Sequence, residues 1–597
     1  MAIISSPSPK RLTNQKPKKL IHLFSFNTIS STTSSPNSQT ASSSSSLSSP
    51  FSSSSSESMM DETIKDAHTV IHKWDHSNTT ARSVSMFQEN KTEAELFIKC
   101  AKGLHRLMHF LAGHDSQSEK LFDAQKLMQI AMKRLEKDFH LILSNNNSTN
   151  SDQHLIFDIE QLSTLAISNL RLIADTMISC GYRQECIQVY KNIRKLIIDE
   201  SLFQLGIQQY SSSQINKMLH NNASHNLDDH VKTWVNATQI AMRKLFCNEK
   251  LLSEHIFTSY VNIQNSCFEM STKEGAMNLF KFPELIATTR CNKKLKSETV
   301  FIMLDLHNSI LELWPEIESL FSTESVAVVK VQAIESLHKL SDSIRTVLDE
   351  FKSSVHKNSC KIRVSGGGVD PLSISVLDYL TSLTNYGDSL SNVIVDEHEQ
   401  TSFEEASRAS VSIMFGSILS VLLCKLDGKA KLQNCKALQY LFLINNLNSI
   451  IEKVRSTNMR FILGEEWIGI HEKKLDAYVL SYETMTWYKV IACLPNSCIY
   501  VSGEKAKACF RKLYFMFEEV YVKQMTWTVV DEFMRDKMKV SIVKNLVPVY
   551  EEFYAKHLIT LSTDELCVKL MLRLSPENMM KYLLELFHET TVGFRSD

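Results

Sequence analysis

Helix breakers are scarce in this chain. It has 597 residues but only 11 prolines, five of them within the first 60 positions, which leaves six for all the rest. Glycine is equally thin, 15 in total, with a single run at Gly366-Gly367-Gly368. Both residue types interrupt helices, so their rarity favours long helical segments. There is no Asn-Gly, and one Asp-Gly at Asp427-Gly428. The tight-turn chemistry of hairpins is therefore missing, which excludes an all-β fold.

A surplus of one charge is missing too. The 65 Lys plus Arg face 66 Asp plus Glu, a formal net charge of −1, which excludes bulk electrostatic affinity for nucleic acid. The 13 cysteines are dispersed, odd in number and without a C-x-x-C pair. That pattern predicts reduced thiols rather than a disulfide framework or a zinc site. The longest apolar run, "VSIMFGSILSVLLC" from Val411, falls short of the roughly 20 residues of a membrane-spanning helix, and predicts a buried one.

Catalytic patterns are absent as well. "SGGGVDPLS" (365–373) lacks the Gly-Lys-Ser/Thr that gives a phosphate loop its charge and magnesium ligand, so it reads as a flexible interhelix connection. "HEKKL" (471–475) lacks the second histidine that would place two imidazoles on one helix face. No Gly-x-Ser-x-Gly elbow occurs. The adjacent acids Glu465-Glu466 and Glu551-Glu552 point about 100° apart on a helix, a poor acid/base couple. The sequence thus predicts no enzyme, no metal and no cofactor.

What is present is helical periodicity after a distinct leader. Residues 1–60 are serine-rich, lack any acid before Glu57 and carry Lys10, Arg11, Lys16, Lys18 and Lys19. They read as a disordered leader, with a cytosolic tail and an organellar transit peptide as alternatives. From Asp61 apolar residues recur at three- and four-residue steps, as in "LMQIAMKRLEKDFHLIL" (127–143). The pattern covers 156–210, 228–260, 296–357, 370–397, 403–425 and 434–460, then 471–594 almost unbroken. We divide the chain into the leader 1–60, an N-terminal helical region 61–210 and a helical-bundle rod 211–597. The predicted fold is all-α, an elongated rod of consecutive antiparallel helical bundles.

Within "ALQYLFLINNLNSIIEKV" (437–454) two asparagines, Asn445 and Asn446, interrupt an apolar face. An unpaired buried amide costs about 1–3 kcal/mol, so both are predicted to hydrogen-bond inside a bundle. Trp467, Tyr478, Tyr482 and Trp487 read as packing residues with their polar tips satisfied locally. Pro548 is predicted to end or kink its helix. Residues 501–597 hold 14 basic and 14 acidic residues, so their composition gives no lipid signal.

Particular words carry the reading further. "ALQYLFLINNLNSIIEKV" followed by "ILGEEWIGIHEKKLDAYVLSYETMTWYKVIACL" resembles the seventy-kilodalton subunit family of the exocyst, the complex that tethers secretory vesicles to the plasma membrane. "LRLIADTMISCGYRQECIQVYKNIRKLIIDESLFQLGI" (170–207), "VKTWVNATQIAMRKLFCNEKLLSEHIF" (231–257), "GGGVDPLSISVLDYLTSLTNYGDSL" (366–390) and "LRLSPENMMKYLLELF" (572–587) extend the likeness in order, and "CGYRQECIQVY" is similar to plant members. The resemblance implies a non-enzymatic tethering component, cytoplasmic and peripheral at the plasma membrane. It also lowers the transit-peptide reading.

The partners it implies are other exocyst subunits, membrane containing phosphatidylinositol 4,5-bisphosphate, and small GTPases. Its family motif has a basic pair before a Ser-Pro-Glu-like word. Arg573 falls on the second position, whereas Leu570 occupies the first, with Lys569 one residue away. Arg573 and Lys569 are the leading membrane-binding residues, with Lys581 and Lys556 as contributors. The alternative reading is a helical adaptor that has left tethering and serves immunity or autophagy.

Overall fold

A computed structural model describes residues 53–75, 84–114, 118–144, 163–220, 224–289, 296–358, 363–394, 403–495 and 501–587. The chain divides into two units, Met1–Asp61 and Glu62–Asp597. The leader's five basic residues lie outside the described residues, but its last part is not disordered as expected: the helix Ser53–Lys73 already begins there. Every regular element from Glu62 onward is helical, with no strand among the described residues.

The helices of this unit pack chiefly on near neighbours in sequence. Lys91–His114, Glu119–Ser144, Thr164–Ser179 and Arg183–Gln204 pack on one another, and Arg183–Gln204 continues onto Val261–Thr288. Val261–Thr288 packs on Ala327–Lys357, which meets Phe403–Ala430; that helix packs on Lys436–Ser456 and Met459–Met485. Trp487–Ile491 then leads to Gly503–Gln524 and Glu532–Leu561, which carry the last two helices, Glu565–Arg573 and Pro576–Leu584. The result is a rod of consecutive helical bundles. Its apolar interior forms two clusters that change over along Arg183–Gln204: Ile187, Tyr190 and Ile193 belong to the first, Ile198 and Leu202 to the second.

The apolar run from Val411 lies in Phe403–Ala430 and extends further than its bare sequence suggested. Ala409–Ala430, with mean hydropathy 1.9, is long and apolar enough to cross a membrane. Yet Val411, Phe415, Ile418, Leu419, Leu422, Leu426 and Ala430 are all buried against neighbouring helices, the three- and four-residue spacing of a core-facing stripe. Leu422→Ala would cost about 2–5 kcal/mol by the cavity it leaves.

Several expected helices are shorter than their periodicity. The stretch 296–357 comprises Lys296–Glu312, Trp314–Leu320 and Ala327–Lys357, because Pro315 starts a new helix at its first turn. Gly464 (φ 81°, ψ 165°) breaks the path of Met459–Met485, a conformation that costs glycine nothing and other residues strain. Pro548 does not end its helix: Glu532–Leu561 runs through it. The carbonyl that loses its donor, on Lys544, belongs to an exposed residue that water reaches.

The asparagine pair is the most densely bonded buried point in this half of the chain. Asn445 Nδ2 donates to Gly367 O and Thr528 O, each at 2.7 Å, and its Oδ1 accepts from Val530 N at 3.1 Å. Asn446 Nδ2 donates to Gly368 O (3.2 Å) and Phe442 O (2.8 Å), while its Oδ1 accepts from Asp370 N and Ser373 Oγ, both at 2.8 Å. Asp370 in turn caps its helix at Leu372 N (2.9 Å) and takes both carboxylate oxygens to Lys429 Nζ at 2.8 and 2.9 Å. All four side chains are at least nine-tenths buried.

The glycine run is accordingly a fixed interhelix connection, not a flexible one. Gly366 and Gly367 take φ of 64° and 76°, and Gly366 O accepts from Thr528 N at 2.9 Å. A Cβ on Gly366 would meet Thr526 O at 2.8 Å, and one on Gly367 would meet Leu438 Cδ1 at 2.9 Å. Only glycine allows both the left-handed backbone and the close approach.

Two further buried ion pairs tie helices together nearer the start. Arg134 Nε donates to Asp138 Oδ2 (2.9 Å), its other arm reaches Val84 O (3.0 Å), and Asp138 Oδ1 accepts from Met86 N (3.0 Å). Glu249 accepts from Arg194 Nε (2.8 Å), Tyr190 OH (2.9 Å) and Ser271 Oγ (3.0 Å), joining three helices. Burial pushes the Asp138 carboxyl above its ordinary value, against the pull of Arg134.

Asn446→Ala leaves the amide of Asp370, the hydroxyl of Ser373 and the Gly368 carbonyl without their partner, a loss of about 3 kcal/mol. Amide hydrogen exchange should accelerate in 366–373, while exchange in Glu119–Ser144 stays as in the wild type. A second expectation concerns His307, which is buried, with Nε2 3.3 Å from Ser341 Oγ. Burial lowers its pKa to about 4. The unfolded chain, titrating near 6.5, binds the proton first, so stability is full above that pH and declines as pH falls toward 4. Urea unfolding at pH 7 and pH 5 should differ by about 2 kcal/mol more in wild type than in His307→Gln.

Candidate functional site

The four basic residues singled out by the sequence lie on three terminal helices. Glu565–Arg573 begins at Asp564, whose side chain accepts from Cys567 N at 2.9 Å and from Arg511 at 2.5 Å. The Cys567 amide, and then Arg511, hold the Asp564 carboxyl below its usual value. Pro576–Leu584 begins at Ser575, which accepts from Asn578 N at 3.2 Å, with Pro576 in the first turn. Tyr550 OH donates to Leu574 O at 2.5 Å and fixes the corner between the two helices against Glu532–Leu561.

Glu565–Arg573 buries Cys567, Leu570 and Met571 and turns the rest of its surface outward. At about 100° per residue, Glu565, Leu566, Lys569, Leu572 and Arg573 share an arc of about 120°. All five are exposed, Leu572 at 76%. Leu570, at the family's first basic position, faces inward, where a lysine would lose its water. Lys569 therefore stands on the side from which it can act beside Arg573, one helical turn away.

The electrostatics are modest. Lys569 Nζ lies 2.9 Å from Glu565 Oε1, with both side chains largely in solvent. Such a pair is worth at most about 1 kcal/mol, so an anionic ligand can displace it. Lys556 and Lys581 are exposed too, but each stands on a different helix, Glu532–Leu561 and Pro576–Leu584. Lys569 and Arg573 thus share one face of Glu565–Arg573, while Lys556 and Lys581 stand on the helices before and after it.

The exposed leucines were missed by sequence reasoning. Their signal was in the count: "ELCVKLMLR" has six residues of Leu, Cys, Val and Met in nine, more than one buried stripe can hold. Ile559, 83% exposed just before this helix, belongs to the same terminal stretch. The aromatic residues upstream act as expected in packing. Tyr482 is buried and donates to Gln524 Oε1 at 2.6 Å, and half-buried Trp467 stacks on His471 with ring centroids 3.8 Å apart, whereas Trp487 is buried with its Nε1 unpaired, contrary to the expectation of a satisfied polar tip.

Comparison with known proteins settles the kinship. The family model for the C-terminal part of the Exo70 exocyst complex protein matches residues 232–585, and the model for the N-terminal part of exocyst complex component Exo70 matches 63–145. The chain belongs to the Exo70 family. The Exo70 relatives include exocyst complex component EXO70B1 of Arabidopsis thaliana, 27% identical over 410 residues, 68% of this chain and 64% of that protein. EXO70E2 of the same plant is 23% identical over 583 residues, 89% of this chain and 88% of that one. The kinship is thus with plant-type Exo70 proteins. The crystal structure of the S. cerevisiae exocyst component Exo70p matches with a TM-score of 0.58 at 14% identity, over 89% of this chain and 100% of that one. At that identity the likeness shows the shared fold.

Since Leu572 and Arg573 touch solvent rather than core, Leu572→Glu and Arg573→Glu should each change stability by no more than about 0.5 kcal/mol. Thermal melts followed by circular dichroism check this, and a drop of several degrees in either variant would show that the face is packed in solution.

Proposed function

We propose that this chain acts as an exocyst component in vesicle tethering, without catalysis, and contacts phosphoinositide-containing plasma membrane through the outward face of Glu565–Arg573. The observation that carries the reading is the alignment of Lys569 and Arg573 on one exposed face, flanked by Leu566 and Leu572. Cations attract the headgroup at about 1 kcal/mol each, and aliphatic side chains beside them favour the bilayer boundary. Kinship to Exo70 supports the complex; the rod, with its N-terminal region 61–210 and its body 211–597, offers helix faces to other exocyst subunits. The protein works in the cytoplasm and at the membrane periphery, with small GTPases among its regulators.

A second reading, a helical adaptor outside tethering, draws on one specific feature. Glu565 neutralises Lys569, so the face carries little net charge. Affinity purification separates the two readings: an exocyst component brings down other subunits, whereas a departed adaptor brings down none.

Full-length protein should sediment with liposomes containing phosphatidylinositol 4,5-bisphosphate and bind them less at high salt. The double variant Lys569→Glu with Arg573→Glu should bind about tenfold more weakly with unchanged helicity. Equal sedimentation of variant and wild type would remove this face from the reading.

A further inference from the structure

Histidine spacing distinguishes one exposed face near the start of the rod. His471 stands alone on its helix, stacked on Trp467 with its Nδ1 2.8 Å from the Trp467 carbonyl oxygen, and no second imidazole follows one turn on. Ser53–Lys73 is different, because its "HTVIH" (68–72) places two imidazoles on one side. The ring centroids of His68 and His72 are 4.2 Å apart, with the planes tilted by 51°. Both rings reach solvent, His72 with 40% of its side chain exposed. Asp75 stands three residues further on, its Oδ2 3.6 Å from His72 Nδ1.

The backbone that carries the pair is held from its other side. Ala67, Ile71 and Trp74 are buried in the first apolar cluster. Lys73 Nζ donates to Glu93 Oε1 at 2.6 Å, Trp74 Nε1 donates to Glu93 Oε2 at 3.2 Å, and the Arg134 guanidinium lies 5.1 Å from the centre of the Trp74 ring. These contacts fix the last turns of the helix, so the spacing of the two imidazoles is set before anything binds.

We infer, against the expectation of no metal, that His68 and His72 form a chelating site for a divalent transition-metal ion such as Zn²⁺. Two imidazoles at i and i+4 can share one coordination centre, each nitrogen binding Zn²⁺ at about 2.0–2.1 Å. Asp75 favours the proton on His72 Nδ1, which leaves the Nε2 lone pair for the ion, as carboxylates behind metal-binding histidines do. Nitrogen ligands suit Zn²⁺, Cu²⁺ and Ni²⁺, whereas Mg²⁺ and Ca²⁺ demand oxygen. No group of three His, Cys, Asp or Glu side chains suited to a metal occurs among the described residues. The pair therefore supplies two ligands, and water or a donor from a partner supplies the others. His105 and His109 have the same spacing and serve as the comparison: their rings are 6.4 Å apart, His105 is half-buried, and neither has a carboxylate partner among the described residues. The site shares no residue with the proposed lipid-facing helix, so either can fail alone.

Footprinting of the full-length chain with diethyl pyrocarbonate, which modifies accessible imidazoles, tests this one histidine at a time by peptide mass spectrometry. Zn²⁺ should slow modification of His68 and His72 about tenfold with one shared midpoint, and Mg²⁺ should leave both unchanged. His105, His109 and the single His114, exposed and stacked on Phe110, should need about tenfold more zinc for the same protection. In H72Q the midpoint for His68 should rise about tenfold, and in H68Q that for His72 should do the same. Both substitutions leave the buried face of the helix intact, and circular dichroism should show unchanged helicity. Zinc protection of His114 equal to that of His68 and His72 overturns the proposal, because the ion then binds single imidazoles. So does an absence of protection in wild type, or an unchanged midpoint in both variants.

Discussion

The hydrogen bonds of Asn445 and Asn446 are the constraint on which the body of the rod depends. A helix can bury a carboxamide only when every donor and acceptor on it finds a partner, and these two find theirs on three separate pieces of chain. The glycine run, the start of Pro371–Leu383 and the connection 528–530 are all placed by the same helix, Lys436–Ser456. Lys429 completes the arrangement from a fourth segment by neutralising Asp370. Apolar packing would hold these helices together in many registers, whereas this set of bonds is satisfied in one.

The same logic recurs at lower intensity along the rod. Arg134 with Asp138 fixes the 84–86 segment on Glu119–Ser144, and Glu249 gathers Tyr190, Arg194 and Ser271 where the two apolar clusters change over. A buried pair brings little net stability once its desolvation is counted, but removing one member leaves an uncompensated charge. Their role is to specify which helix meets which. The long helices supply the bulk of the buried area, and the polar points decide the alignment.

How much of this could be read beforehand depended on the range of the interaction. The helices themselves were legible, because periodicity and the rarity of proline are local facts. The i, i+4 pair of Arg134 and Asp138 was visible in principle for the same reason. Asn446 and Asp370 are 76 residues apart, so the sequence indicated that the asparagines needed partners without indicating which. Breaks at Gly464 and before Trp487 were hidden because nothing nearby forbids a helix. At the terminal site, Lys569 and Arg573 came from likeness to a family, while Leu572 required knowing which side of Glu565–Arg573 was already covered.

Packing that proceeds from neighbour to neighbour has an evolutionary consequence. In a rod whose helices chiefly touch those near them in sequence, a substitution is felt within its own bundle and transmitted poorly to the next. Each segment can then diverge almost independently, its surface re-cut for new contacts while distant segments keep theirs. That modularity accounts for a backbone path still shared with the yeast protein when 14% of residues remain identical. Drift is confined by compartments, and the rod outlasts its own sequence.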